Sequence, residues 1–427
     1  MISRFRKVLY PQSLKEECRS STSAFTRDRK LPFHLVVLLI LNALKGSVAD
    51  ELDQFFQALF KWDVAKRFVT KSAFSQARRK LSHRVFIKLL DQVCALANQQ
   101  SDLATYKGLR VFAIDGSTMR LPDNLMVRER FGTTRNHNSQ RAMGRVSLLF
   151  DVLNRITYDA ILGEFHTGEI SMAWDHLEET QLPQDHLILL DRGYYDFATL
   201  RNILNNGGHF CIRLRANLGI YKAFMRSGKD DVCLRLKPPK QNRKGFARES
   251  EFRQGFTVRV VRYRIGRTDY ILMTSLLAAD YTIGELGDLY HARWQVEESF
   301  KIKKCRLHIE QISGATPEIA LQDFHARVLK EALTACLVLD CNEWLECTNR
   351  GKKYDYKICL TQALAKMKNA LPLLCLRARP RRLIHDLLDV FRHSLISIEP
   401  GRSYPRNLPS NYGSKIQSFT FGYRPNR

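Results

Sequence analysis

Two short apolar runs, each closed by an aspartate, constrain this chain more than any other feature. Leu109-Arg-Val-Phe-Ala-Ile114 leads into Asp115-Gly-Ser-Thr118, and Leu187-Ile-Leu-Leu190 leads into Asp191-Arg-Gly-Tyr194. Each reads as a buried strand running into a turn. A carboxylate at the end of such a strand points into the crevice where α/β sheets bind ligands. Taken singly, such an Asp is more often a turn former, since its side chain hydrogen-bonds local backbone.

The surrounding segments extend the sheet. Residues 141–153 and 155–162 alternate as strands about Asn154, which predicts a hairpin, and residues 209–214 predict a further strand. Helical patterns at 169–180 and 197–205 interleave with them, so the fold class is a mixed α/β sheet. The polar stretch 131–140 reads either as a loop ordered by substrate or as an ordinary surface loop. Between about 215 and 275 basic residues dominate, with loops at 237–244 and strand-like alternation at 257–265 and 270–275. This is a β-rich insertion.

The stretch from Tyr290 to Lys304 follows it. On one helix, at about 100° per residue, Tyr290, Arg293, Glu297 and Lys304 fall within an arc of roughly 60°. Leu289, Val296, Phe300 and Leu307 form an apolar strip beside it that would hold the helix on a core. Glu297 suits a metal, and Arg293 and Lys304 suit phosphates as a bidentate fork and a point charge. The same pattern also fits a surface helix with solvated charges. Asp115, Asp191 and Glu297 together are harder to read as surface groups, because three gathered carboxylates repel unless protons or cations balance them. Magnesium would balance them through oxygen ligands, and two ions roughly 3.5–4 Å apart would activate the attacking oxygen and stabilise the leaving one in phosphodiester chemistry.

On the N-terminal side, residues 30–100 carry helical spacing, and residues 70–82 predict a capped short helix bearing Arg78, Arg79 and Lys80. That helix fits a helix-turn-helix-like reader of DNA, although on this stretch alone a solvated basic face is the commoner outcome. Helices are expected at 317–340, 361–374 and 381–395, with an extended basic arm beyond Pro400. The division expected is a helical DNA-binding region 1–105, a catalytic region 106–310 and a helical C-terminal region with basic tail 311–427.

The charge balance narrows the partner. Sixty-eight Lys and Arg against 43 Asp and Glu give +25, an excess that favours a polyanion, nucleic acid before membrane surface. Ten cysteines show no Cys-x-x-Cys pair or zinc spacing, which points to free thiols in a reducing cytoplasm. The most apolar run, residues 35–41, is far short of the ~20 residues that cross a bilayer.

Tyr290, Arg293, Glu297 and Lys304, separated by two, three and six residues, resemble the tyrosine-arginine-glutamate-lysine signature of the insertion-sequence-four family of DDE transposases, with every spacing matched. Asp115-Gly-Ser-Thr118 and Asp191-Arg-Gly-Tyr194 are similar to the family's first and second acidic motifs, in the expected order. The resemblance covers roughly residues 109–307. It implies a ribonuclease-H-like core interrupted by a β-strand insertion before the glutamate helix. It also implies two catalytic metal ions on Asp115, Asp191 and Glu297, magnesium with manganese as the substitute, and DNA contacts near the cleavage site from Tyr290, Arg293 and Lys304. Water would nick one strand at the element end, and the 3′-hydroxyl released would attack the other strand, in some members through a hairpin, and finally join target DNA.

One feature departs from the family. Better-known hairpin-forming members stack a displaced base on a tryptophan of the insertion, and residues 215–289 contain none. Phe256, Tyr263 or Tyr270 could stack instead, while Trp294 is read as a packing residue. Glu298 is turned about 110° from the centre of the polar arc and is not taken as a ligand.

The expectation is therefore a cut-and-paste transposase, a homodimer on paired ends in the nucleoid-associated cytoplasm. It would bind double-stranded terminal repeats, through Arg78, Arg79 and Lys80 among others, and target DNA, with no membrane partner. Two readings stay open beside it: a metal-dependent nuclease of the same fold, and a transposase-derived DNA binder without catalysis.

Overall fold

The computed structural model describes residues 2–399 apart from 28, 43–45, 101–102, 137–138, 239–253, 267, 278–279 and 378–379. The expected basic tail, positions 43–45 of the helical stretch 30–100 and most of the 237–244 loop lie outside the described residues.

The N-terminal region contains helices α1 (Ile2–Leu9), α2 (Gln12–Cys18), α3 (Phe33–Leu41), α4 (Val48–Phe60), α5 (Lys71–Arg78) and α6 (Arg84–Asn98). Apart from His34 near its start, α3 is apolar and has no polar face to offer solvent, and Val36 to Leu41 are all buried. Thr70 caps α5, its hydroxyl accepting from the Ala73 N–H at 3.1 Å.

The sheet begins with β1 (Arg110–Arg120), followed by α7 (Leu125–Phe131), β2 (Thr133–Asn136), β3 (Ser139–Asp151), β4 (Ile156–Glu164), α8 (Glu169–Glu179), β5 (His186–Leu190), a 3-10 turn (Arg192–Tyr194), α9 (Phe197–Asn205) and β6 (His209–Arg213). The expected hairpin forms from β3 and β4. Buried Asp151 fixes its turn, accepting from the Leu153 and Asn154 N–H groups at 3.1 and 2.9 Å and pairing with Arg110. In the order β4-β3-β1-β5-β6, β3 is antiparallel to both its neighbours, and β1, β5 and β6 run parallel. This is a ribonuclease-H-like core.

Two expectations about this sheet change. First, β1 does not turn at Asp115. It continues to Arg120 because β3 keeps pairing with it as far as Arg120↔Met143, and what stops beside Asp115 is only the parallel ladder to β5. Second, residues 131–140 are not all loop, since β2 pairs with β3 from Thr133↔Ala142 to Asn136↔Ser139.

The insertion contributes α10 (Gly219–Ser227), β7 (Asp231–Leu236), β8 (Phe256–Ile265) and β9 (Thr268–Thr274). It extends the same sheet: β9 pairs antiparallel with β6, followed by β8 and β7. The Thr274 hydroxyl locks this joint by donating to the Phe210 carbonyl at 2.7 Å.

Then follow α11 (Ile283–His291), α12 (Trp294–Cys305), α13 (Pro317–Leu339), α14 (Asn342–Asn349), β10 (Asp355–Ile358), α15 (Leu360–Leu376), α16 (Arg381–Arg392) and β11 (Leu395–Ile398), with β10 and β11 forming a small antiparallel sheet. Thr316 caps α13 and Pro317 occupies its first turn, where the missing N–H costs nothing. Polar residues of α13, among them Gln322, Asp323, Arg327 and Glu331, are buried with the apolar ones. The helix therefore packs on all sides, against α3, α6, β4 and α15, and joins the N-terminal helices to the sheet. All ten cysteines are free. Among the described residues no helix is long and apolar enough to cross a membrane.

Candidate active site

The last parallel pair between β1 and β5 is Ile114↔Leu190, so Asp115 and Asp191 leave the two strands side by side. The third carboxylate comes from α12. The stretch from Tyr290 to Lys304 is not one straight helix: α11 ends at His291 and α12 starts at Trp294, joined through tightened i→i+3 bonds from Arg293 to Tyr290 and from Val296 to Arg293. The four signature side chains still reach the cleft. The Tyr290 hydroxyl donates to Asp191 Oδ1 at 3.4 Å, and Arg293 Nη2 donates to Glu297 Oε1 at 2.8 Å. Arg293 Nη1 lies 3.6 Å from Asp115 Oδ2, and Lys304 Nζ donates to Ser117 Oγ at 2.7 Å. The apolar strip of Leu289, Val296, Phe300 and Leu307 is buried beneath.

The cleft is short of positive charge. Burial pushes the Asp115 carboxyl up to about 6; Arg293 and the Gly116 N–H act against the rise, while Glu297 and Asp191 add to it. Burial likewise works against the Arg293 charge, but Tyr290, Glu297, Asp115 and Asp191 more than offset it, leaving its pKa above the ordinary value. Arg293 thus serves as the internal cation between Asp115 and Glu297. As the side chains stand, no three His, Cys, Asp or Glu among the described residues converge closely enough to hold a metal ion. The donors facing the cleft are nonetheless all carboxylate oxygens, the ligand type of a hard divalent cation.

The transposase DDE domain family matches residues 106–329, the interval that holds every one of these side chains. The chain belongs to that family. It is an enzyme of the DDE transposase type, it acts on DNA, and divalent-metal dependence goes with membership. Among its relatives is the transposase InsG for insertion sequence element IS4 of Escherichia coli strain K12, 24% identical over 352 residues, spanning 79% of this chain and 77% of that one. A shorter match, 36% over 59 residues, covers 14% of this chain and 16% of the transposase for insertion sequence element IS421 of Escherichia coli. A piggyBac transposase synaptic complex with hairpin DNA aligns with 98% of this chain and 84% of its own at a TM-score of 0.43 and 10% identity, a distant likeness.

Elsewhere in this transposase, two expectations need correction. Arg78 does not lie on an exposed basic face: its guanidinium is buried and donates to Gln322 and Ser313 at 2.6 Å and to Asp323 at 2.7 Å. Asp323 supplies a buried countercharge, so Arg78 fastens α5 to α13. Arg79 is exposed, and half-buried Lys80 borders a cavity of about 740 Å³ with Arg27, Arg29, Lys30 and Phe25 on its walls. Trp294 is not a core residue. It is 37% exposed, since it opens α12 at the break after Arg293, and its indole N–H donates to Glu298 at 3.1 Å. Glu298 faces outward with Lys301, in keeping with its exclusion as a ligand.

Of the aromatics considered for stacking, Phe256 is buried in the core and the Tyr263 hydroxyl is held by Asp288 at 3.0 Å. Tyr270 lies 4.4 Å beneath the Arg213 guanidinium. Sequence reading also missed a basic cavity of about 550 Å³ beside the Asp191 turn, lined by Arg192, Arg213, Arg215, Asn217 and Tyr221, with Asp269 also on its wall. The alternation in Arg213-Leu-Arg215 at the end of a buried strand was the available signal. Ser117, the seat of Lys304, stood within a quoted motif without a role.

Proposed function

We propose that the chain is the transposase of an insertion sequence, cutting DNA at the element ends and joining them to a target by a cut-and-paste route. The observation that carries this reading is that Asp115, Asp191 and Glu297 face one cleft, with Arg293 lying between Asp115 and Glu297 and Lys304 beside them. These three carboxylates would hold two divalent ions, magnesium or manganese, once Arg293 releases them. When bound, such ions lower the pKa of the attacking water or hydroxyl and neutralise charge on the leaving oxygen.

The chain's own residues do the rest. Tyr290 orients Asp191 through its hydroxyl. Arg293, displaced from Glu297, is placed to fork onto the scissile phosphate, and Lys304, steadied by Ser117, supplies a point charge to a neighbouring phosphate. In the first step water attacks the phosphodiester at the element end; a P–O bond forms, the 3′-oxygen leaves and takes up a proton. That 3′-hydroxyl then attacks a phosphate of the other strand or of target DNA, losing its proton as the displaced 3′-oxygen departs.

Arg192, Arg213 and Arg215 line the approach to Asp191 and suit phosphates of the same strand. Arg79 and Lys80, with Arg27, Arg29 and Lys30, suit the duplex of the terminal repeat; Arg78 supports them from beneath. A homodimer holding paired ends completes the reading.

The test is incubation of the full chain with labelled duplexes bearing the natural flanks of its coding sequence, with and without magnesium, beside Glu297→Ala. Nicking at one site that needs both metal and Glu297, followed by joined products, is expected. Cutting without joining would favour a nuclease. Binding without strand chemistry would leave a DNA-binding protein.

A further inference from the structure

A fourth carboxylate lies against both acidic motifs. Glu169, the first residue of α8, sits beside Gly116: from the point where a side chain at 116 would begin, Glu169 Oε1 is 3.2 Å away and the Tyr194 hydroxyl 3.3 Å away. Its other oxygen lies 3.5 Å from the corresponding point of Gly193. Glu169 therefore spans the residue after Asp115 and the turn that follows Asp191. A side chain at 116 would crowd it, and one at 193 would come into ordinary van der Waals contact with it.

Two further observations point to a ligand here. The Tyr194 side chain is 1% exposed, yet its hydroxyl has no hydrogen-bond partner, an arrangement that costs free energy unless something completes it. That hydroxyl and Glu169 Oε1 approach the same point beside Gly116, and burial, then the charges of Asp115, Glu169 and Asp191, raise its pKa. Among the described residues the cation paired with Glu169 is Arg145, at 3.3 Å and with its own Nε unpartnered, while Arg215 Nη2 comes within 3.7 Å of the same point of Gly193 as the Glu169 carboxylate. Glu169 is held loosely at a place where negative charge accumulates.

We propose that Glu169 is a fourth acidic group of the catalytic cleft, taking one divalent cation with Asp115 and Asp191, directly or through a bound water, while the Tyr194 hydroxyl donates to that carboxylate or water. This rests on the metal-dependent reading above. In the present arrangement Arg145 holds the place of the cation.

The test is a titration of the full chain with manganese, following free manganese by electron paramagnetic resonance, for the wild type, Glu169→Gln, Asp191→Asn and Arg145→Leu, each also melted thermally. Glu169→Gln is expected to weaken manganese binding about tenfold or more with an unchanged melt, and its nicking defect is expected to recover at raised manganese. Arg145→Leu is expected to bind manganese at least as well as the wild type. An isotherm for Glu169→Gln that superimposes on the wild type, while Asp191→Asn binds weakly, would overturn the proposal and leave the three-carboxylate reading intact. An Arg145→Leu defect equal to that of Glu169→Gln would also overturn it, assigning Glu169 a merely structural pairing. If Asp191→Asn binds normally as well, the metal-dependent reading falls and takes this one with it. Should Glu169→Gln fail to fold, Glu169→Asp keeps the charge but draws it back by one methylene: weakened binding supports the proposal and unchanged binding refutes it.

Discussion

Lys303 and Lys304 are neighbours in sequence on α12 and have opposite fates. Lys303 is fully buried, donating to Ser299 at 2.6 Å and Thr157 at 2.8 Å and pairing with Glu331 of α13. Glu331 accepts in turn from Thr157 at 2.9 Å and Ser299 at 3.3 Å. Lys304 looks into the cleft, with Ser117 as its neutral partner. The same contrast separates Arg78, saturated by Asp323, Gln322 and Ser313, from Arg293, shared among carboxylates with its Nε unpartnered. Buried polar groups whose bonds are complete fix one helix against another; those left incomplete are available to a ligand. One helix thus carries a structural face and a chemical face a single residue apart.

The sharpest way to break this comparison is to remove a structural cation. Lys303→Ala leaves Glu331 buried and unpaired, and a loss of about 3–5 kcal/mol in unfolding free energy is expected from denaturant titration. The double variant Lys303→Met with Glu331→Leu is expected to regain most of that loss, because both charges are gone. If Lys303→Ala melts like the wild type, the network does not hold α12 in place.

The chemical face is expected to behave the other way round. Glu297→Gln is expected to reduce nicking of an end-containing duplex at least about a hundredfold, with the unfolding midpoint unchanged or slightly raised, since one member of a like-charged set has been neutralised. Lys304→Met is expected to slow nicking about tenfold while moving stability by no more than about 0.5 kcal/mol. A stability loss in Lys304→Met as large as that of Lys303→Ala would erase the distinction. The smallest effect belongs to the exposed end of the basic helix. Arg79→Gln is expected to weaken duplex binding a few-fold and to flatten its salt dependence by about one phosphate contact, without altering the melt. Arg78→Gln is expected to lower the melt, and any loss of DNA binding it causes is expected to follow that loss of fold.

Much of this contrast was legible before any coordinates, and the remainder had a common cause. Helical periodicity located α3, α4, α6 and α13, because burial of one face or of a whole helix writes itself into local spacing. Continuous apolar runs located β1 and β5 for the same reason. The motif at 290–304 named four side chains that do reach the cleft. Misread were residues whose environment is set by a distant partner. Arg78 looked like a surface cation because Asp323, which neutralises it, lies 245 residues away. Trp294 looked like a core residue because the break after His291, which places it on the rim, depends on how α11 and α12 pack. Asp115 looked like the end of a strand because the pairing of β3, which carries β1 to Arg120, is invisible in the local run.

The sequence by itself determined the class of fold, the order of its acidic motifs and the identity of the motif side chains that line the cleft, since apolar periodicity and the spacing of functional groups are local properties. Only the tertiary structure decided which of two adjacent lysines meets a buried carboxylate and which is left facing the cleft, that the insertion lengthens the catalytic sheet, and that Glu169 comes to rest against Gly116 and Gly193. Those are contacts between segments far apart in the chain, and the free energy of a charge is set by what surrounds it in space.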